Sequence, residues 1–101
     1  MEGSAILIRE TYMLDDIGQH IPIEEAFEIL CHIESIGQRE FFSAGQNGIN
    51  SDLKIVTQSV NYNNESVIEY NNERYGIYRT YRVNNSDEIE LYCEWKGGIS
   101  G

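Results

Sequence analysis

Hydrophobic and polar residues alternate with a period of two over most of this chain, the pattern of strands that bury one face. The alternation is cleanest from Ile23 to Ile33. There Ile23, Phe27, Ile29, Cys31 and Ile33 share the odd face, interrupted at Glu25. Glu24, Ala26, Glu28 and His32 share the even face, with Leu30 the exception. This segment is the predicted second strand, odd face inward. Ser4 to Leu14 is the first, with Ile6, Ile8, Tyr12 and Leu14 expected on one face. Asp15-Asp16-Ile17-Gly18 supplies the turn between them, Gly18 being free to take a positive φ.

After Ile33 the period changes. Ser35-Ile36-Gly37-Gln38 has capping-box spacing, which predicts a short helix over Gln38 to Ala44, ended by Gly45. Gly45 to Asp52 has no periodicity and reads as a long, mobile loop between strands two and three. Four more strands follow: Leu53 to Val60, Val67 to Tyr70, Arg74 to Arg82 and Glu88 to Lys96. Asn71-Asn72 tolerates the left-handed backbone that a tight hairpin needs. In the sixth strand Ile89, Leu91, Cys93 and Trp95 point one way, and Glu88, Glu90, Tyr92 and Glu94 the other. A hairpin looping at Val83 to Asp87 predicts Tyr81 opposite Ile89, Ile77 opposite Cys93, Tyr75 opposite Trp95, and Arg82 beside Glu88. Six short strands and one short helix point to an all-β fold, a small antiparallel barrel that leaves no sheet edge exposed.

The 101 residues suffice for one domain, with an ordered core expected over about residues 4–97. The longest apolar run, Ala5 to Ile8, is far short of the roughly 18 residues that cross a bilayer, so no membrane role is expected. Met1-Glu2-Gly3-Ser4 lacks the basic region of a signal peptide. Seventeen acids against seven bases give a formal net charge of −10, which repels phosphates and opposes self-association. No sustained exposed apolar stripe is expected. Cys31 and Cys93 form no C-x-x-C pattern and fit small buried hydrophobes in a reducing cytoplasm.

No catalytic centre, cofactor or metal site is expected. His20 falls in a turn and His32 on a polar face, while Cys31 points the opposite way from His32. Neither a nucleophile elbow nor a phosphate-binding loop occurs. Arg74 to Arg82 interleaves aromatics with bases, as the stacking face of an oligonucleotide-binding barrel does. Core packing and cross-strand pairing are the better account, with Tyr75, Ile77 and Tyr81 inward and Tyr78 outward among cations. Alternation also turns Arg79 inward, toward a barrel mouth or an interface.

Several segments in order resemble a known family. Tyr12…Asp16-Ile17-Gly18-Gln19…Ile21-Pro22 and Cys31…Ser35-Ile36-Gly37-Gln38-Arg39-Glu40-Phe41-Phe42 are similar to the first half of the head–tail joining (head-completion, or stopper) proteins of tailed bacteriophages. Ile68-Glu69-Tyr70-Asn71-Asn72-Glu73-Arg74-Tyr75, followed by Ile89-Glu90-Leu91-Tyr92-Cys93-Glu94, resembles the second half. No single motif is diagnostic; the ordered series, over about Ile6 to Lys96, carries the resemblance. It implies a β-barrel protein that assembles with copies of itself into a ring in the host cytoplasm and then resides in the virion. Its partners would be the portal-associated head adaptor ring and the tail proteins, with packaged DNA passing through without sequence-specific binding. In stopper-type members the loop after the second strand closes the channel. Here that maps to Phe41 through Asp52, with Phe41, Phe42, Gly45, Gln46, Asn47, Gly48 and Asn50 as channel-loop residues. Arg74, Tyr78, Arg79 and Arg82 are the interface candidates. The alternatives are a tail-completion or terminator protein, and a nucleic-acid-binding barrel.

Overall fold

The computed structural model describes the backbone of residues 1–43 and 46–98, and side chains up to Lys96 apart from those of 38–50. Its strands are β1 (Glu2–Leu14), β2 (His20–Ser43), β3 (Gln46–Gln58), β4 (Val67–Tyr70), β5 (Glu73–Arg82) and β6 (Glu88–Gly98). All pair antiparallel, and the order β1-β2-β3-β6-β5-β4 closes on itself. The protein is therefore an all-β, six-stranded barrel. The closing seam between β1 and β4 is short, running only from Ile6↔Glu69 to Ile8↔Val67. Leu7, Ile55, Ile68, Leu91 and Cys93, all at 0% exposure, form the centre of the core.

The odd face of β2 points inward, as its alternation predicts: Ile29, Cys31 and Ile33 are buried, while Leu30 on the other face is 80% exposed. In β6, Ile89, Leu91 and Cys93 are buried and Trp95 packs against them. Asn71 and Asn72 turn the β4–β5 hairpin with φ of 55° and 63°, and Gly18 takes φ 83° in the β1–β2 turn.

Ile6, Ile8, Tyr12 and Leu14 share one face of β1, as expected, and it is the face away from the core. Ala5 and Leu7 enter the core, while Ile6 and Ile8 lie on the other face beside Glu69 and Val67, where Ile8 is also buried. A run of four apolar residues fits either phase. The hairpin decides: Leu14 faces His20, so odd positions of β1 stand opposite odd positions of β2, and Leu7 meets Phe27.

The short helix and the long loop are not formed. Gln38–Ser43 continues β2, and Gln46–Asp52 belongs to β3, paired from Gly37↔Asp52 out to Ser43↔Gln46. Ala44 and Gly45, the end of the predicted helix and its stop signal, lie outside the described residues. Seven residues are too few to hold a helix by themselves, whereas pairing the two segments satisfies their backbone groups. At the supposed helix cap, the chain makes a bulge at Ile36, between Ser35↔Leu53 and Gly37↔Asp52.

Another bulge, at Tyr78, divides the β5–β6 register. Tyr75↔Trp95 and Ile77↔Cys93 pair as predicted, but beyond Tyr78 the pairs are Arg79↔Tyr92, Tyr81↔Glu90 and Arg82↔Ile89. One extra residue exchanges the faces from that point on.

Two hairpins run past the barrel wall. In the first arm Glu10–Leu14 pairs with His20–Glu24; in the second Gly37–Ser43 pairs with Gln46–Asp52. They stretch the molecule to 47 × 46 × 20 Å with a radius of gyration of 15.5 Å. A compact chain of this length would have about 13 Å.

Candidate interaction surfaces

The candidate residues of β5 split into two groups. Arg74, near the strand's start, is a fork on the outer face. Its Nε donates to Glu69 at 3.0 Å, and its two terminal nitrogens donate to both oxygens of Glu24 at 3.2 and 3.3 Å. The guanidinium holds the Glu24 carboxyl below the usual carboxylate range, and Glu24 in turn raises Arg74. Arg79 lies about 16 Å further along the strand. Alternation sent Arg79 inward; the Tyr78 bulge instead brings it to the outer face, stacked over the Tyr92 ring at 4.8 Å. Tyr81, also expected inward, is 46% exposed for the same reason. Tyr78 is the bulge residue itself, and Arg82 is exposed at the strand's end.

Around this face the other ionisable groups are already joined. His32 bridges Glu2 and Glu34, and Lys54 pairs with Glu34 at 3.2 Å. Lys54 lowers the Glu34 carboxyl, and Glu34 raises the Lys54 ammonium. The Tyr92 hydroxyl donates to Glu90 at 2.7 Å, which raises the Tyr92 phenol. The surface is thus acidic, with Arg74 and Lys54 held by its own carboxylates and Arg79 held over an aromatic ring.

At one mouth of the barrel lies a cluster that sequence reasoning missed. Glu65 is 5% exposed, and its carboxylate accepts from the Asn63 amide at 3.0 Å and from Arg9 at 3.4 Å. Arg9 also stacks over Phe27 at 4.6 Å. The Tyr62 hydroxyl donates to the Glu65 carbonyl, fastening the loop between the 3-10 turn and β4. It joins residues 56 positions apart, and finding it required knowing that the Arg9 face of β1 turns toward the loop that carries Glu65.

On the second arm Phe41 pairs with Gly48, Phe42 with Asn47, Ser43 with Gln46 and Arg39 with Asn50. Their side chains, and Gly45 altogether, lie outside the described residues. The first arm carries exposed apolar side chains at Tyr12, Met13, Leu14, Ile17 and Ile21, a patch the expectation of no apolar stripe had excluded. Cys31 and Cys93 are buried and free, and burial pushes their thiols up to about 11 and about 12.

No protein-family model matches the chain, and no curated protein is significantly similar to it.

Proposed function

We propose that this chain is a structural virion protein of a tailed phage or prophage. It forms a ring at the head–tail connector, closes the DNA channel after packaging, and provides the tail attachment site. The observation that carries this reading is the ordered series from Tyr12 to Glu94 that resembles head–tail joining proteins. A closed barrel with two projecting hairpins supports it, because such arms give a subunit surfaces that reach its neighbours without disturbing its core. The arm bearing Phe41, Phe42 and Asn47 reaches the channel in this reading, and β5, with Arg74, Tyr78, Arg79 and Arg82, meets an adjoining subunit.

The electrostatics favour a channel component over a nucleic-acid binder. Arg9, Lys54, Arg74 and Lys96 are each paired with a carboxylate of the same chain, and the net charge of −10 repels DNA. DNA would slide past such a surface rather than adhere.

Heads assembled without this chain should package DNA, lose it, and fail to join tails. Adding the purified protein to freshly packaged heads should restore both DNA retention and infectivity. Normal plaque yield from a phage lacking the chain would overturn the reading.

A further inference from the structure

We propose that the β1–β2 arm is a docking element for a different protein, one offering an apolar groove rimmed by basic side chains. The proposal rests on the chemistry of the arm and is independent of the connector reading.

Both faces of the arm carry apolar side chains. Met13 stands opposite Ile21 and Thr11 opposite Ile23 on the face that continues the barrel interior, while Tyr12 stands opposite Pro22 on the other. Met13, Tyr12 and Leu14 are 53%, 61% and 63% exposed, and Ile17 in the turn is 77% exposed. None of these side chains belongs to the core, so folding does not require them to be apolar. A strand with one face toward solvent alternates; apolar residues on both faces mark a strand enclosed from both sides. A two-stranded ribbon is also marginal in water by itself, and a partner that encloses it supplies the missing burial.

Charge selects the partner. Asp15 and Asp16 lie at the tip, and Glu10, Glu24 and Glu25 at the root, so the apolar belt runs between two acidic collars. Of these acids, Glu24 is the one held by a neighbouring cation, Arg74. Arg9 is turned into the barrel mouth toward Glu65, and Arg74 is shared by Glu24 and Glu69. A second copy of the chain is the poorer receptor: its Arg9, Lys54, Arg74 and Lys96 are engaged by its own carboxylates, which leaves Arg79 and Arg82 on β5 as the arginines outside an ion pair among the described residues. Two such molecules, each at −10, would also bring acid against acid. A groove with basic rims answers both the belt and its collars.

The test uses the full chain, isotope-labelled for amide spectra, and a synthetic amphipathic peptide of leucine and lysine as the probe. Amide shifts should concentrate in residues 10–25, and the leucine–glutamate counterpart should not bind. Leu14→Asp and Ile17→Asp, both at exposed positions, should each weaken binding about tenfold while leaving the melting temperature unchanged. Asp16→Asn with Glu25→Gln should weaken it and reduce its salt dependence. Shifts spread over Glu28, Glu69 and Glu90, with the arm variants binding normally, would overturn the proposal in favour of general charge attraction. A dimer in sedimentation that Leu14→Asp dissolves would assign the arm to a second copy. Flotation of the chain with phosphatidylcholine vesicles would assign it to lipid. Either result would overturn the proposal.

Discussion

Cys31 and Cys93 stand on inward faces of β2 and β6, where alternation alone places them. Burial excludes the charged thiolate, which raises their pKa values to about 11 and about 12. Only the thiolate is a good nucleophile, so both thiols should react slowly with a disulfide reagent at neutral pH and rapidly once denaturant is added. Fast labelling of the native protein would show that the core opens at these positions. Tyr78 shows the opposite case. One inserted residue there exchanges the faces of the rest of β5, so Arg79 and Tyr81 lie on the outer face although alternation points them inward. Nothing in the residues flanking Tyr78 marks the bulge, because each face of the strand still reads as a plausible series.

At the scale of elements, short connections do much of the work. The segment from Ser59 to Ser66 closes one barrel mouth through Glu65, whose side chain is 1% exposed. Replacing Glu65 with leucine would leave the Asn63 amide without its acceptor and Arg9 without its carboxylate. The cost should be about 1–3 kcal/mol, the usual penalty for an abandoned buried polar group. Glu65→Gln retains one acceptor oxygen and should recover part of that loss. Urea unfolding of the two variants measures both effects; an unchanged midpoint for Glu65→Leu would mean that Glu65 does not fasten the mouth. The arm from Gly37 to Asp52 makes a related point. Its residues carry weak helix signals, yet pairing within a hairpin satisfies their backbone groups.

For the whole molecule, charge sets the dependence on pH. Arg74 clamps Glu24 and Glu69 across the sheet, and its hydrogen bond and charge lower the Glu24 carboxyl in the folded state. A carboxyl lowered by folding stabilises the protein above its unfolded pKa, about 4.3, and that contribution fades as the pH falls through the lower folded value. Arg74→Gln should therefore reduce the melting temperature at neutral pH, and the gap from the parent should narrow toward about pH 3. Thermal melts across that range decide it, and an equal gap at both ends would rule out the ion pairs as the cause. Glu34 with Lys54 has the same sign, so the parent protein itself should weaken in acid over the same window.

By itself the sequence determined the class of fold, the strands of the core and the tight turns. Period-two alternation in β2 and β6 left only one buried face, and Asn71, Asn72 and Gly18 accept the left-handed backbone that their turns demand. These are local properties, set by side-chain chemistry and by the sterics of single residues. Tertiary structure decided what local chemistry left balanced. Ala5 to Ile8 could bury either face until the β1–β2 hairpin matched Leu7 to Phe27. Gln38 to Asp52 could coil or pair until its two halves met. Arg9 was an ordinary surface base until Glu65 was brought beneath it. The exposed belt at Tyr12 to Ile21 reads in sequence as the end of a strand and the turn that follows it. It became a surface because β4 meets β1 only at Ile6 to Ile8 and β3 does not reach β2 before His32, so the end of the hairpin extends beyond the sheets that would have covered it.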